Sequence, residues 1–145
     1  MMKSNGSPSL FDLTGRTALI TGSTRGIGFA LAQGLAEAGS TVILNSRQQE
    51  AVTQAVAKLK ALGLNARGAV FDVADPASVD AAFKSFDHEG LAIDILINNA
   101  GIQHRQPMLD VSLGDWNRVI NTNLTAAFMV GRAAARRMVD RKSVV

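Results

Sequence analysis

Residues 17–28 read TALITGSTRGIG, a β-branched apolar run that breaks into glycines and hydroxyls and then resumes with helical spacing. That order predicts a strand, a tight turn and a helix start, because β-branched side chains suit strands and glycines tolerate sharp turns. A helix N-terminus in such a corner presents unpaired backbone N–H groups and the positive end of a dipole, and glycines let a pyrophosphate come close to that backbone. Gly22, Gly26 and Gly28 follow G-x-x-x-G-x-G, with no Gly-Lys-Ser/Thr ending, which argues against an ATP or GTP phosphate loop. A glycine turn without a ligand is the other reading of this segment alone.

Beyond the corner, Ile27, Leu31 and Leu35 recur at helical spacing and Gly39 closes the segment. Residues 41–45 (TVILN) predict a second strand, residues 48–62 an Ala-rich helix ended by Gly63, and residues 66–71 a third strand. Asp75 followed by Pro76 reads as an N-cap and a first-turn proline opening a helix through Val79, Phe83 and Phe86 to about residue 89. The run IDILI at residues 93–97 is too short for a helix and apolar on both faces, as in a strand inside a parallel sheet, so a central place is expected. Ser112 and Asp115 have capping-box spacing and launch a last helix to about residue 140, with Trp116, Ile120, Asn123, Ala127, Val130 and Ala134 on one stripe. Four strands alternating with helices, joined by right-handed crossovers, predict half of a doubly wound parallel α/β sheet in order 3-2-1-4. Ligand is then expected at the C-terminal ends of the strands.

Composition narrows the function classes. A hydrophobic share of 47% in 145 residues allows one domain with a real core. The net charge of +3 is small, and aromatics at 5% with no tyrosine give no stacking platform for nucleic acid. Arg132, Arg136, Arg137, Arg141 and Lys142 read as helix C-terminal dipole partners and solvated surface. The absence of cysteine removes disulfides, a thiol nucleophile and a cysteine-zinc cluster, and no metal site is expected. No signal-like apolar core opens the chain and no window approaches the roughly 18 apolar residues of a membrane span, so a cytoplasmic location is expected.

Three blocks together resemble the short-chain dehydrogenase/reductase family over nearly the whole chain: TGSTRGIG at residues 21–28, NNAG at residues 98–101 after the fourth strand, and Asn123 within DWNRVINTN. Within it, NNAGIQHRQP followed by MVDRK is most similar to the gluconate 5-dehydrogenases, which interconvert gluconate and 5-ketogluconate. The resemblance implies a Rossmann-type NAD(P)-binding domain, of which residues 11–145 form the N-terminal part after a flexible leader at residues 1–10. It implies that Gly22, Ser23, Arg25, Gly26, Ile27 and Gly28 line the phosphates, that Asp72 and Val73 meet adenine, and that Asn99, Ala100 and Gly101 pass the nicotinamide-side ribose. Asn98 is expected to join neighbouring strands through its amide, and Asn123 to help hold a relay water that serves a catalytic lysine. Gln103, His104 and Arg105 follow NNAG on a loop placed to be able to face substrate, with Arg105 suited to pair a sugar-acid carboxylate and His104 read as a plain loop residue. His88 carries no functional signal.

Charge argues the choice of cofactor. An NAD site usually places an acid after the second strand for the ribose 2′-hydroxyl, whereas a 2′-phosphate wants cations. Here the place reads Asn45, Ser46 and Arg47, with no acid until Glu50 and with Arg25 in the glycine turn. NADP(H) is therefore preferred, and NAD(H) is possible. The family transfers hydride with a tyrosine acid/base, a lysine that lowers the tyrosine pKa and a serine on the substrate oxygen. This chain has no tyrosine and Ser143 falls too early, so the chain alone is expected not to turn substrate over. Residues 93–97 are then expected to become an exposed edge without a fifth strand, and the last helix to leave apolar surface. The complete family member is expected to be a homo-oligomer acting on a small molecule, without nucleic acid or membrane. A non-catalytic NADP-binding module or an inactive remnant is the alternative.

Overall fold

A computed structural model describes residues 10–141. Of the leader expected at residues 1–10, residues 1–9 lie outside the described residues, as do Lys142 and Ser143. Strands and helices alternate as β1 (Thr17–Ile20), α1 (Gly26–Glu37), β2 (Thr41–Ser46), α2 (Gln49–Ala61), β3 (Ala66–Val70), α3 (Pro76–His88) and β4 (Ile95–Ile97), followed by α4 (Leu113–Ile120) and α5 (Ala126–Asp140). The sheet is parallel in the expected order β3-β2-β1-β4. Register sets Ile20 of β1 between Leu44 of β2 and Ile97 of β4, so β1 and β4 end together while β2 runs on to Ser46. The chain moves outward from β1 through β2 to β3 and then crosses back to β4, which makes β1 and β4 the flanks of a topological switch point.

Alternation along β1 builds a core on both faces. Leu19, with Ile43, packs against Phe83 and Phe86 of α3 and Val130 and Ala134 of α5. Ala18 and Ile20, with Val42 and Leu44, pack against Ala32 and Ala36 of α1 and Ala55 and Leu59 of α2. Burial on both sides is what the unbroken apolar runs of β1 and β2 require. The expected caps form: the Asp75 carboxylate accepts from the Ala77 and Ser78 amides, and the Ser112 hydroxyl oxygen accepts from the Asp115 amide.

Three expectations are corrected. The buried face of α1 is Gly28, Ala32 and Ala36, one position beyond the predicted stripe, while Leu35 packs at the margin and Ile27 and Leu31 are exposed. Small residues on that face let the helix lie close to the sheet. The strand expected at residues 93–97 is shorter, Ile95–Ile97, and among the described residues it pairs only with β1, so it has the edge place expected without a fifth strand and not a central one; its three residues are half-buried. The last helix is not one helix, because a π-helical turn at Asn121–Thr125 separates α4 from α5. That wider turn resets the inward face, so α5 buries Ala126, Val130, Ala134 and Met138, while Trp116, Leu124 and Phe128 stay exposed.

Packing of α5 on α3 is fastened by a bidentate ion pair. Arg137 Nε and Nη2 donate to the Asp87 carboxylate oxygens at 2.7 and 2.6 Å, and the guanidinium lies 5.1 Å from the centre of the Phe83 ring. Those hydrogen bonds hold the Asp87 carboxyl below the usual carboxylate range. A lowered folded-state pKa means stabilisation that is present at neutral pH and lost as pH falls through that pKa. Asp87→Asn is expected to cost up to about 1 kcal/mol at pH 7 in urea unfolding, since the pair is largely exposed. Below about pH 4 the difference from the parent should shrink as carboxyl groups protonate.

Candidate functional site

The strand ends around the switch point are tied together by the buried Thr21, Ser23 and Asn45 and the half-buried Asn99. Directly after β1, the Thr21 hydroxyl oxygen accepts from the Asn99 and Ala100 amides, both at 3.0 Å, while Asn99 Nδ2 donates to the Thr21 and Gly22 carbonyls at 3.0 and 2.9 Å. This staple joins the end of β1 to the NNAG segment after β4. On the other side, Ser23 Oγ donates to the Ile20 carbonyl at 2.6 Å and accepts from the Asn45 amide at 2.9 Å. Asn45 Oδ1 accepts from the Gly22 amide, and its Nδ2 donates to the Ala69 and Phe71 carbonyls, which links β2 to both neighbours. Thr21→Val keeps the shape but leaves two amides without their acceptor, and about 1 to 2 kcal/mol of stability should be lost in denaturant titration.

The glycines of the corner are set by close approach. A Cβ at Gly22 would stand 2.8 Å from the Ala100 Cα. One at Gly28 would run into Asn99 Nδ2 and lie 2.6 Å from the Gly22 carbonyl oxygen. The first turn of α1 therefore lies tight against the strand ends. Its N-cap, Arg25, makes no side-chain cap and no acid stands in the first turn, so no side chain of the helix neutralises its positive end.

Above these elements opens a cleft of about 460 Å³. Gly22, Arg25, Gly26, Ile27 and Gly28 form one wall, Asn45, Ser46, Arg47, Asp72 and Val73 the end beyond β2 and β3, and Asn99, Ala100 and Gly101 the opposite wall. Ser23 is the exception among these predicted residues: its side chain is buried and spent on β1 and β2. Ile27, exposed on the helix, belongs to the cleft wall, which accounts for an apolar residue outside the core. At the outer end Arg47 Nη1 and Asp72 Oδ2 stand 3.8 Å apart as an exposed pair. Asp72 is steadied by its Oδ1, which accepts from the Ala74 amide at 2.9 Å.

Asn123 is exposed on the π turn rather than set in an apolar stripe, and it lines no wall of the cleft. Its Oδ1 accepts from the Ile102 amide at 2.8 Å and its Nδ2 donates to the Ile102 carbonyl at 2.9 Å, so it holds the chain just after NNAG. The Asn98 amide donates to the Ala127 carbonyl of α5 at 3.2 Å, not to a neighbouring strand as expected, because no strand lies beyond β4 among the described residues. Arg105 is exposed and outside the cleft walls. His104 meets Gln106 at 2.8 Å and Arg118 at 3.3 Å beside Asp115, whose carboxyl the Ser112 hydroxyl holds below the usual range, with His104 and Arg118 adding to the effect. The sequence reading missed Thr24, Phe71, Ile102, Arg118 and Thr122 as cleft residues. Thr24, Phe71 and Ile102 adjoin residues already singled out, whereas Arg118 and Thr122 sit one turn apart, before and within the π turn, outside the motifs that marked the site. Among the described residues no group of three or more His, Asp or Glu gathers as a metal site, and no helix is long and apolar enough to cross a membrane.

A family model described as short chain dehydrogenase matches residues 16–144. The chain belongs to the short-chain dehydrogenases. It is 47% identical over 134 residues to the gluconate 5-dehydrogenase of Gluconobacter oxydans (strain 621H), covering 92% of this chain and 52% of that protein. To the 5-keto-D-gluconate 5-reductase of Escherichia coli (strain K12) it is 44% identical, covering 92% of this chain and 53% of the relative. A solved gluconate 5-dehydrogenase from Burkholderia cenocepacia J2315, in complex with NADP and tartrate, superposes with a TM-score of 0.86 at 47% identity over 90% of this chain and 51% of that one. This short-chain dehydrogenase thus spans about half the length of the curated relatives it matches. Its doubly wound sheet and flanking helices are those of a Rossmann-type fold.

Proposed function

We propose that the cleft seats a nicotinamide dinucleotide, with NADP(H) preferred and NAD(H) possible, and that the chain is the N-terminal, cofactor-binding part of a single-domain oxidoreductase. The uncapped N-terminus of α1, packed so closely on the strand ends that a Cβ at Gly22 or Gly28 has no room, carries this reading. Bare amides, a dipole end and small residues around a cleft fit a diphosphate. In this reading Gly22, Arg25, Gly26, Ile27 and Gly28 receive the phosphates, Asp72 and Val73 the adenine, and Asn99, Ala100 and Gly101 the nicotinamide-side ribose. Arg25 and Arg47 take a 2′-phosphate, with Ser46 beside them. Ser23 and Asn45 are positioning residues that hold Gly22 and the strand ends.

A nicotinamide bound there supplies or accepts hydride. The substrate class we propose is a sugar acid or polyol, gluconate and 5-ketogluconate first, supported by the relatives' names and by the complex of the Burkholderia protein with NADP and tartrate. Asn123 is assigned to the catalytic end through its hold on Ile102, and Arg105 to the carboxylate of the substrate. Exposed Trp116, Leu124 and Phe128 support a homo-oligomer for the complete protein. A second reading, a non-catalytic NADP-binding module, is favoured by one observation, the absence of tyrosine from this chain. Titrating the purified chain with NADPH and NADH by nucleotide fluorescence tests the cofactor reading: saturable binding is expected, and no binding of either at millimolar concentration refutes it.

A further inference from the structure

Beside the cleft lies a smaller depression of about 270 Å³, and the two share Thr24, Arg25, Ser46 and Arg47 as a common wall. The far side of the depression belongs to α2, where Gln54 and Lys58 stand one turn apart on the same face. Arg25, Arg47 and Lys58 thus all line one small volume, and no acid lines it. Glu50, the acid in the first turn of α2, accepts from Gln54 Nε2 at 3.1 Å and stays outside the lining. Among the described residues Arg25 and Lys58 have no ion-pair partner, and Arg47 has only the 3.8 Å approach of Asp72 from the cleft side.

We propose that Lys58 is a specificity-determining residue, the third cation of a site in this depression for a phosphomonoester carried on the adenosine ribose. The inference rests on the cofactor reading above and extends it, because it makes α2, outside the motif and the strand ends, a determinant of the choice between NADP(H) and NAD(H). A phosphomonoester is close to a dianion at neutral pH, and two guanidinium groups with one ammonium outweigh that charge. The arginines supply forked donors, while the flexible lysine stem carries a point charge that adapts to the phosphate position. Since the site is open to water, the ammonium should act at the scale of an exposed ion pair.

The test is fluorescence titration of NADPH and NADH against the full chain and its Lys58→Gln and Lys58→Glu variants. Lys58→Gln should weaken NADPH about threefold to fivefold, the measure of an exposed pair, and leave NADH unchanged. Lys58→Glu should weaken NADPH by a larger factor, again sparing NADH, and high salt should narrow the gap between parent and variants. Unchanged NADH affinity also verifies that the variants fold. The proposal is overturned if Lys58→Gln leaves NADPH affinity as it was, if it weakens both dinucleotides alike, or if the parent binds the two equally. A parent chain that binds neither dinucleotide overturns the cofactor reading and this proposal with it.

Discussion

Gly28→Ala should abolish dinucleotide binding and cost the fold about 3 kcal/mol. The added methyl has no free direction, since its Cβ meets Asn99 Nδ2 on one side, the Gly22 carbonyl oxygen at 2.6 Å on another and the Ser23 Cα at 2.9 Å on a third. Two of those neighbours are backbone, and the Asn99 amide is held by the Thr21 and Gly22 carbonyls, so relief requires α1 to lift from the strand ends. Lifting the helix moves its first-turn amides away from the place proposed for the diphosphate. A shifted urea midpoint together with a flat NADPH titration would agree with this account. Near-parental binding by a folded Gly28→Ala chain would refute the seat assigned to the diphosphate.

Arg47→Asp should weaken NADPH about a hundredfold while changing NADH by less than about threefold. The substitution removes a guanidinium suited to a phosphate and places a carboxylate next to Asp72 at the outer end of the cleft. A 2′-phosphate then meets repulsion where it had a partner, whereas a 2′-hydroxyl meets an acceptor. Because Arg47 is 73% exposed and its one ion pair among the described residues is the 3.8 Å approach to Asp72, little stability is at stake and the ratio of the two affinities is the readout. Equal losses for the two dinucleotides would refute the 2′-phosphate assignment.

The order of the sheet was legible because each described crossover is punctuated: Gly39 and Gly63 follow α1 and α2, and Asp75 and Pro76 open α3. Phase within helices was not. On α1 the buried positions are Gly28, Ala32 and Ala36, weakly hydrophobic neighbours of the stronger Ile27, Leu31 and Leu35, so an apolar stripe points one residue too early. Across residues 121–125 nothing in NTNLT announces a π turn, which is why Asn123 was set on one apolar stripe with Val130 and Ala134. The site motif showed which residues gather but not which way each side chain faces. Ser23 turns inward to bind β1 and β2, a direction that depends on Asn45, 22 residues away in the chain.

The Thr21 and Asn99 staple has a kinetic consequence. With the rims of β1 and β4 tied by four hydrogen bonds, the two walls of the cleft above them are preassembled, and little chain ordering is left for an arriving molecule to bring about. Capture should then be governed by diffusion and by the attraction of Arg25 and Arg47 for a polyanion, with an on-rate that falls as ionic strength rises and varies little with changes in loop flexibility.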